Sequence, residues 1–283
     1  MWDIKPRRVL LAVESTECEA AIAYAVREAR SRRCGVHVIH VVPTTLGRPQ
    51  DTLVMVGDEL HARGRDILAD VARSLERRLG DEDLPVSTEL CHGTVVRTLV
   101  QESAHASVVV VQTHAMESHG GPSLMSVTSG VAARSHAPVV AVPSDWREPP
   151  EDAERVVAVG IGDTHSGRIL DVAVATAARL GAVLRIVHAG DELELHELAE
   201  APSDVAFTFT ESAESPVHAL LSDGGRTSLI VVGRRHPAHP LAQRLGPVAR
   251  TLLRRSTVPV MVVDPRSDDE AGSGRDLATA AVP

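Results

Sequence analysis

Short apolar runs alternate along the chain with longer segments of helical spacing. In the first half of the chain the apolar runs fall at 9–13, 36–42, 86–90, 108–112 and 139–142. These runs are rich in valine and do not alternate with polar residues, which is typical of strands buried on both faces of a sheet. Between the first two runs, small or apolar residues recur at helical spacing, at Ala20, Tyr24, Ala25 and Ala29. The pattern predicts an α/β fold, an open parallel sheet with helices on both faces.

The same pattern occurs twice. Residues 8–29 match 156–177 at an offset of 148 residues, and residues 94–112 match 215–233 at an offset of 121. The second offset also carries the closing run RSHAPVVAVP onto RSTVPVMVVD without a gap. Because the two offsets, 148 and 121, differ by 27 residues, the second copy lacks that much chain between its second and third strands. The sequence therefore predicts two tandem α/β domains, the second with a shortened second helix.

The repeat also predicts the domain boundaries. The first domain is expected at 1–143 and the second at 155–264, with an exposed linker at 144–154 and a disordered tail at 265–283. The closing run of each copy is apolar and β-branched, and an uncovered apolar edge strand favours pairing with another strand. We expect two open five-stranded parallel sheets that pair through their last strands with pseudo-twofold symmetry, an intramolecular pseudo-dimer. A further homodimer is left open.

Composition narrows the possible functions. The net charge of −9 and an aromatic content of 2% disfavour nucleic acid and an anionic membrane surface as partners. Three cysteines without CxxC spacing indicate neither a disulfide framework nor a zinc ribbon. The N-terminus has no signal-peptide pattern, and no window reaches the ~18 continuous apolar residues of a membrane span. A cytoplasmic protein without nucleic-acid or membrane partners is expected.

Four segments, in their order and duplication, resemble the universal stress protein family in its tandem two-domain bacterial form. They are the first strand with its acidic end (RVLLAVES), the second-strand IHVV, the fourth-strand VVVV and LIVVG, and the two closing runs. The resemblance covers roughly 8–143 and 156–264. It implies the adenine nucleotide alpha hydrolase-like fold, which is Rossmann-like, and a role in stress adaptation.

Family members that bind ATP have an aspartate after the first strand and a loop of pattern G-x2-G-x9-G-[ST]. In the first copy the loop positions hold Gln112, Ala115, Met125 and Ser126. In the second copy they hold Gly233, His236, Gly246 and Pro247. Bulky side chains at glycine positions keep backbone N–H groups away from phosphate, and Pro247 has no N–H to donate. The resemblance thus implies degenerate ATP-binding loops, the better-preserved one in the second domain.

The candidate ligand-binding residues stand at the family's positions in the two copies. They are Glu14, Val41, Ser126, Val127 and Thr128 in the first copy, and Asp163, Val232, Gly233, Arg235, Gly246 and Val248 in the second. Ser126 is also predicted to cap the helix that follows it. Because arginine binds phosphate in a bidentate manner, Arg234, Arg235 and Arg244 favour an anionic ligand, with solubilising charge as the alternative. The implied cofactor is ATP or another adenine nucleotide, bound weakly.

Other chemistry is less well supported by the sequence. The loop histidines have no carboxylate or cysteine at partner spacing, so no metal site is predicted at His114, His119, His236 and His239. There is no GxSxG motif, and no catalytic residue is assigned. Cys18 lies near the start of the first helix, where the helix dipole favours a thiolate, with an inert buried thiol as the alternative.

The sequence as a whole predicts a stress-response module that binds or senses a small phosphorylated ligand or a regulatory protein, and not an enzyme. Two alternatives stay open. One is a slow ATPase, or a phosphoryl or acyl transferase, that uses the cleft of the second domain. It is disfavoured because the chain's only lysine, Lys5, is far from the loop. The other is a purely structural, partner-binding scaffold.

Overall fold

The computed structural model describes residues 7–43, 50–113, 123–150, 152–162, 167–188, 205–211, 215–222, 225–235 and 245–266, without the side chains at 50–57, 123–126 and 211. The predicted shortened helix of the second domain and residues 267–283 of the predicted tail lie outside the described residues. The chain divides into two compact units. The first comprises residues 1–153 and 250–261, and the second comprises residues 154–249 and 262–283.

Strands and helices alternate in the first unit. They are β1 (Arg8–Ala12), α1 (Glu19–Arg32), β2 (Val36–Pro43), α2 (Gln50–Leu79), β3 (Val86–Gly93), α3 (Val95–Glu102), a 3-10 turn (Ser103–His105), β4 (Ala106–Thr113), α4 (Ser123–Ala132) and β5 (Val139–Pro143). The strands are parallel and lie in the order β3-β2-β1-β4-β5. Each overlaps one of the predicted apolar runs.

The second half of the chain repeats this arrangement. Its elements are β6 (Val156–Ile161), α5 (Gly167–Leu180), β7 (Val183–His188), β8 (Phe207–Glu211), α6 (Pro216–Leu221), β9 (Thr227–Gly233), α7 (Pro247–Arg255) and β10 (Val260–Val263). The strand order β8-β7-β6-β9-β10 corresponds to that of the first unit. β6 pairs in parallel with both β7 and β9, and β7 with β8. The predicted α/β class with a parallel sheet is confirmed.

Burial explains why the strands read as continuous apolar runs. Residues 108–110 of β4 and residues 229–231 of β9 have no exposed surface, as expected for strands covered on both faces. The carboxyl ends of parallel strands lie at one edge of a sheet. The segments that follow β1, β2 and β4 therefore meet at one edge of the first unit, and those that follow β6, β7 and β9 meet at the corresponding edge of the second.

Trp146 departs from the exposed linker predicted at 144–154. Its neighbours Asp145, Arg147 and Glu148 are exposed, but Trp146 itself is only 5% exposed. The indole packs against Tyr24 of α1, with ring centroids 5.6 Å apart in a T-shaped arrangement. The charged, proline-rich segment around Trp146 predicts exposure, but burial of a large aromatic side chain is favourable enough to outweigh it.

Candidate functional site

The residues predicted to line the cleft of the first unit differ widely in exposure. Glu14, two residues after β1, is exposed. Val41 in β2 is 8% exposed, and Thr128 in α4 is 2% exposed. Val127 is half-buried. A ligand at this edge would therefore meet the carboxylate of Glu14 but not the buried side chain of Thr128.

Ser126 does not cap its helix as predicted. The helix α4 begins at Ser123, so Ser126 lies inside the first turn, and its side chain is not among those described. A capping residue has to precede the first turn, where its side chain can reach the unpaired backbone N–H groups. A cap at Ser126 implies a helix that starts at Val127, four residues later than the observed start at Ser123.

Gln112 fills the position of the first loop glycine in the first unit. Its side-chain Nε2 donates to the carbonyl oxygen of Glu17 over 2.7 Å, and its Oε1 accepts from the backbone N–H of Ala21 over 3.3 Å. The amide thereby joins the end of β4 to the loop after β1 and to the first turn of α1. Among the described residues, Cys18 at the N-cap of α1 makes no side-chain capping bond. Gln112 therefore satisfies a donor that the helix start leaves open.

Gly233 in the second unit is in close contact with helix α5. A Cβ atom added at Gly233 would lie 2.3 Å from Cδ1 of Ile169. The glycine does not have a positive φ, so its backbone conformation does not require glycine. Close packing against Ile169 is instead the reason that no side chain fits here. Packing against Ile169 is thus sufficient to explain why residue 233 is glycine, and phosphate binding by Gly233 stays a prediction.

The two contacts are related by the internal repeat. Gly233 is the counterpart of Gln112 at the offset of 121 residues, and Ile169 is the counterpart of Ala21 at the offset of 148. In the first unit the strand end has the large side chain and the helix the small one, and in the second unit the sizes are exchanged. Sequence reasoning took Gln112 only as a lost glycine. Comparing Ala21 with Ile169 would have revealed the exchange.

Arg235 lies beside Gly246 at the start of α7. A Cβ atom added at Gly246 would be 3.1 Å from Nε of Arg235, and Gly246 also lacks a positive φ. The arginine is exposed, Pro247 is the first residue of α7, and Val248 next to it is half-buried. Val232, by contrast, is 3% exposed within β9. The structure thus brings Arg235 and Gly246 together, with Val248 two residues further along the chain, and leaves Val232 in the core.

Arg234 has a structural partner. It is 7% exposed, its backbone N–H donates to the carbonyl of Val263 over 2.8 Å, and its guanidinium pairs with the carboxylate of Asp264. Arg266 pairs with the same carboxylate over 2.9 Å. Partial burial opposes ionisation of Asp264, but the hydrogen bonds and charges of Arg266 and Arg234 outweigh it and lower the pKa of Asp264 to about 2. Arg234 therefore holds the end of β10.

Cys18 is not a reactive thiolate. Burial, with a contribution from the charge of Glu19, raises the pKa of Cys18 to about 12. The desolvation of the side chain outweighs the helix dipole, which acts in the opposite direction. Of the two interpretations of this cysteine, the inert buried thiol is the one the structure supports.

The remaining predicted site residues and the loop histidines fall mostly in segments that the structure does not describe. Seven of these positions lie outside the described residues: Asp163, Ala115, Arg244 and the loop histidines His114, His119, His236 and His239. Within the described ranges, no group of three histidine, cysteine or acidic side chains is arranged to hold a metal ion. None of the described helices combines the length and hydropathy needed to cross a membrane.

The fold described above is that of an α/β protein with parallel strands, the class in which ligands bind beyond the carboxyl ends of the strands. Residues 5–143 match the model of the universal stress protein family. A universal stress protein of Mycobacterium tuberculosis is 28% identical over 293 aligned residues, which cover 91% of this chain and 98% of that protein. The crystal structure of a universal stress protein from Archaeoglobus fulgidus superimposes with a TM-score of 0.72 at 19% identity, covering 94% of this chain and 98% of its own.

Residues 5–143 are a universal stress protein domain, and the curated relatives that align with about nine-tenths of the chain are universal stress proteins. A shorter solved relative is a universal stress protein in complex with cAMP, which is 21% identical. It covers 48% of this chain and 96% of its own, with a TM-score of 0.36.

Proposed function

We propose that this protein is a stress-response binding module in which the first unit has lost nucleotide binding. In this proposal the second unit keeps weak affinity for a phosphorylated ligand, such as ATP or another adenine nucleotide. The observation that carries the proposal is the pair of hydrogen bonds that the Gln112 side chain makes, donating to the carbonyl of Glu17 and accepting from the N–H of Ala21. Gln112 stands, in the first unit, at the position of the family's first loop glycine.

Gln112 affects the first unit in two ways. Its side chain occupies space that glycine would leave open, and it uses the Ala21 N–H, one of the first-turn donors that helices offer to anions. Displacing the amide would leave the Glu17 carbonyl and the Ala21 N–H to find new partners, which costs free energy. A ligand would have to compensate for that loss.

Arg235 supports weak binding in the second unit. Its guanidinium is exposed beside Gly246, directly before the start of α7. A guanidinium can hold a phosphate group with two parallel hydrogen bonds, and the N-terminus of a helix favours negative charge. Pro247 removes one backbone donor from this helix start. The ligand would therefore be held mainly by one side chain, and we expect a dissociation constant on the order of 1 mM.

The described cysteines and the aspartate whose pKa values are shifted provide no candidate general acid or base. A general acid or base works best with a pKa near neutral pH. Among the described residues, the pKa of Cys18 is raised to about 12 and that of Cys91 to about 11, while the pKa of Asp264 is lowered to about 2. Each of these shifts moves the group away from neutrality. We therefore propose a binding role without turnover of ATP.

Isothermal titration calorimetry with ATP, ADP, AMP and cAMP tests the proposal. We expect weak binding of at least one nucleotide by the wild type and a loss of about tenfold in affinity in Arg235→Ala, because about 1.4 kcal/mol corresponds to one hydrogen-bonded phosphate contact. Arg226→Ala is the matched control, since the Arg226 side chain is 72% exposed and its ion-pair partner among the described residues, Glu154, is 3.9 Å away.

The outcomes separate the alternatives. Absence of heat with all four nucleotides at millimolar concentration would overturn weak binding and leave the scaffold interpretation. Equal affinity of wild type and Arg235→Ala would place the ligand elsewhere. Release of phosphate from ATP above the buffer background would instead support the ATPase alternative.

A further inference from the structure

Two of the chain's few aromatic side chains meet around a buried arginine. The sequence contains two tryptophans, one tyrosine and two phenylalanines. The guanidinium carbon of Arg27 lies 4.2 Å from the ring centroid of Tyr24 and 5.3 Å from that of Trp146. Arg27 is 7% exposed and Tyr24 is fully buried. The guanidinium is thus held between one ring on α1 and one ring on the segment that follows β5.

Residues 144–147, called the strap below, form a tight turn after β5. The N–H of Ser144 donates to the carbonyl of Thr113 over 2.8 Å, and the N–H of Trp146 donates to the carbonyl of Pro143 over 3.0 Å. Asp145 and Arg147 on either side of Trp146 are exposed. Trp146 is therefore the side chain that anchors the strap to α1.

Arg27 is incompletely satisfied in this position. Its Nε and Nη2 atoms are buried and make no hydrogen bond of good geometry within the described chain, and the nearby Tyr24 hydroxyl interacts with the guanidinium. Contact with two ring faces offsets part of the cost of burying a cation. It does not replace the hydrogen bonds that these donors make in water, and an unsatisfied buried donor is costly. Lifting the indole away from Arg27 would let water reach the guanidinium.

We propose that the strap is a releasable clamp, held on α1 by Trp146 and detached by local opening without unfolding of the sheet. Detachment exposes the indole, which costs free energy, and hydrates Arg27, which returns part of it. The first unit then has a bound and a released state of the segment that leaves β5. This inference uses none of the residues of the proposed ligand site.

Hydrogen exchange of the full-length protein tests the proposal. In Arg27→Met the unsatisfied donors are removed while the unbranched stem is kept, so the amides of the strap are expected to exchange at least threefold more slowly than in the wild type. Arg30→Met is the matched control, because Arg30 lies on the same helix with a half-exposed side chain paired to Glu82. We expect it to leave strap exchange unchanged. Trp146→Ala is expected to speed strap exchange at least tenfold.

Fluorescence gives a second readout. With Trp2 replaced by phenylalanine, Trp146 is the single tryptophan, and acrylamide quenching should be weaker in Arg27→Met than with native Arg27. Equal or faster strap exchange, or equal or stronger quenching, in Arg27→Met would show that the arginine holds the strap in place, and would overturn the proposal.

The wild type alone provides a test if Arg27→Met does not fold. Exchange of β4 amides in the same samples reports global unfolding. Local opening predicts that exchange in the strap depends little on urea, whereas exchange in β4 accelerates steeply. Exchange of both segments with the same urea dependence would mean that the strap leaves only when the whole unit unfolds, which also overturns the proposal.

Discussion

Asp264, directly after β10, accepts hydrogen bonds from two arginines. Arg234, the more deeply buried of the two, was predicted from sequence as part of an anion-binding set. The structure instead uses it to fix the end of a strand, since it pairs with Asp264 and its backbone bonds to Val263. Of the described arginines in that set, Arg235 is the one that remains exposed. The residue type of Arg234 indicated that it could bind an anion, and its buried position makes that anion the carboxylate of Asp264.

Replacing Asp264 with asparagine should destabilise the protein in a pH-dependent way. The pKa of Asp264 is lowered from an ordinary value of 3.8 to about 2 in the folded state. Its contribution is therefore fully present above pH 3.8 and is lost as the pH falls through about 2. Allowing for solvent screening, we expect Asp264→Asn to lower the free energy of unfolding by about 1 kcal/mol at pH 7. The difference from wild type should narrow below pH 3.8.

Urea unfolding at pH 7 and near pH 2.5 measures this difference. Asp70→Asn is the control, because the ion pair of Asp70 with Arg73 is exposed and such pairs contribute about 0.5 kcal/mol or less. A destabilisation of the same size at both pH values would show that the charge of Asp264 is not its cause.

The contact between a strand end and the first turn of the helix that follows the neighbouring strand takes two forms in this chain. In the first unit Gln112 reaches from β4 to Ala21 of α1, and in the second Ile169 of α5 fills the space over Gly233 of β9. Both pairs close the gap between equivalent elements of the two units, β4 and α1 in the first and β9 and α5 in the second. Each strand end is therefore fixed against its helix by two residues that fit each other, and a change in one residue of the pair affects the packing of the other.

A double-mutant cycle on Gly233 and Ile169 tests this coupling. Gly233→Ala should lower the free energy of unfolding by about 1–3 kcal/mol, because the new Cβ overlaps Ile169, which is 7% exposed and has little room to move. Ile169→Ala alone should cost about 2–4 kcal/mol through the cavity that it leaves. The double variant should lose at least about 1 kcal/mol less than the sum of the single variants.

Gly167→Ala is the matched control for this cycle. Gly167 is exposed at the start of α5, and a Cβ atom there has no neighbour within 4 Å among the described residues. Its substitution should leave stability unchanged or raise it slightly. Strictly additive effects of Gly233→Ala and Ile169→Ala would contradict the packing explanation for Gly233.

The two units of the molecule share a strand order but differ in the loops at their carboxyl edges. The Gln112 amide closes one edge, and the other presents an exposed Arg235 beside Gly246. In our proposal, duplication allows the first unit to lose ligand contacts while the second keeps some of them. The alignment with a mycobacterial universal stress protein covers 91% of the chain and therefore extends over both units.

Native mass spectrometry of the freshly purified protein addresses the whole molecule. Because weak binding implies that ligand dissociates during purification, we expect the 30.1 kDa chain without a stoichiometric nucleotide. Added ATP at millimolar concentration should give at most one bound nucleotide per chain, from the second unit. Two bound nucleotides, or one that copurifies, would show that the loops of this protein are intact as binding sites.

Sequence reasoning succeeded where the physical cause is local. The apolar runs at 9–13 and 108–112 predicted β1 and β4, because strands covered on both faces need apolar residues throughout. It failed at helix boundaries, as at Ser126, where the chain starts a helix earlier than the local pattern indicates. It also failed at Trp146, whose burial depends on Tyr24, a residue more than a hundred positions away.

The sequence by itself determined the α/β class, the duplication and the loss of family residues from the loops, since these follow from periodicity and from residue identity. The tertiary structure alone decided what the replacements do. Only folding brings Gln112 against Ala21, Ile169 against Gly233 and Arg234 against Asp264. The reason is physical: space filling and the pairing of buried polar groups depend on neighbours in three dimensions, which spacing along the chain does not specify.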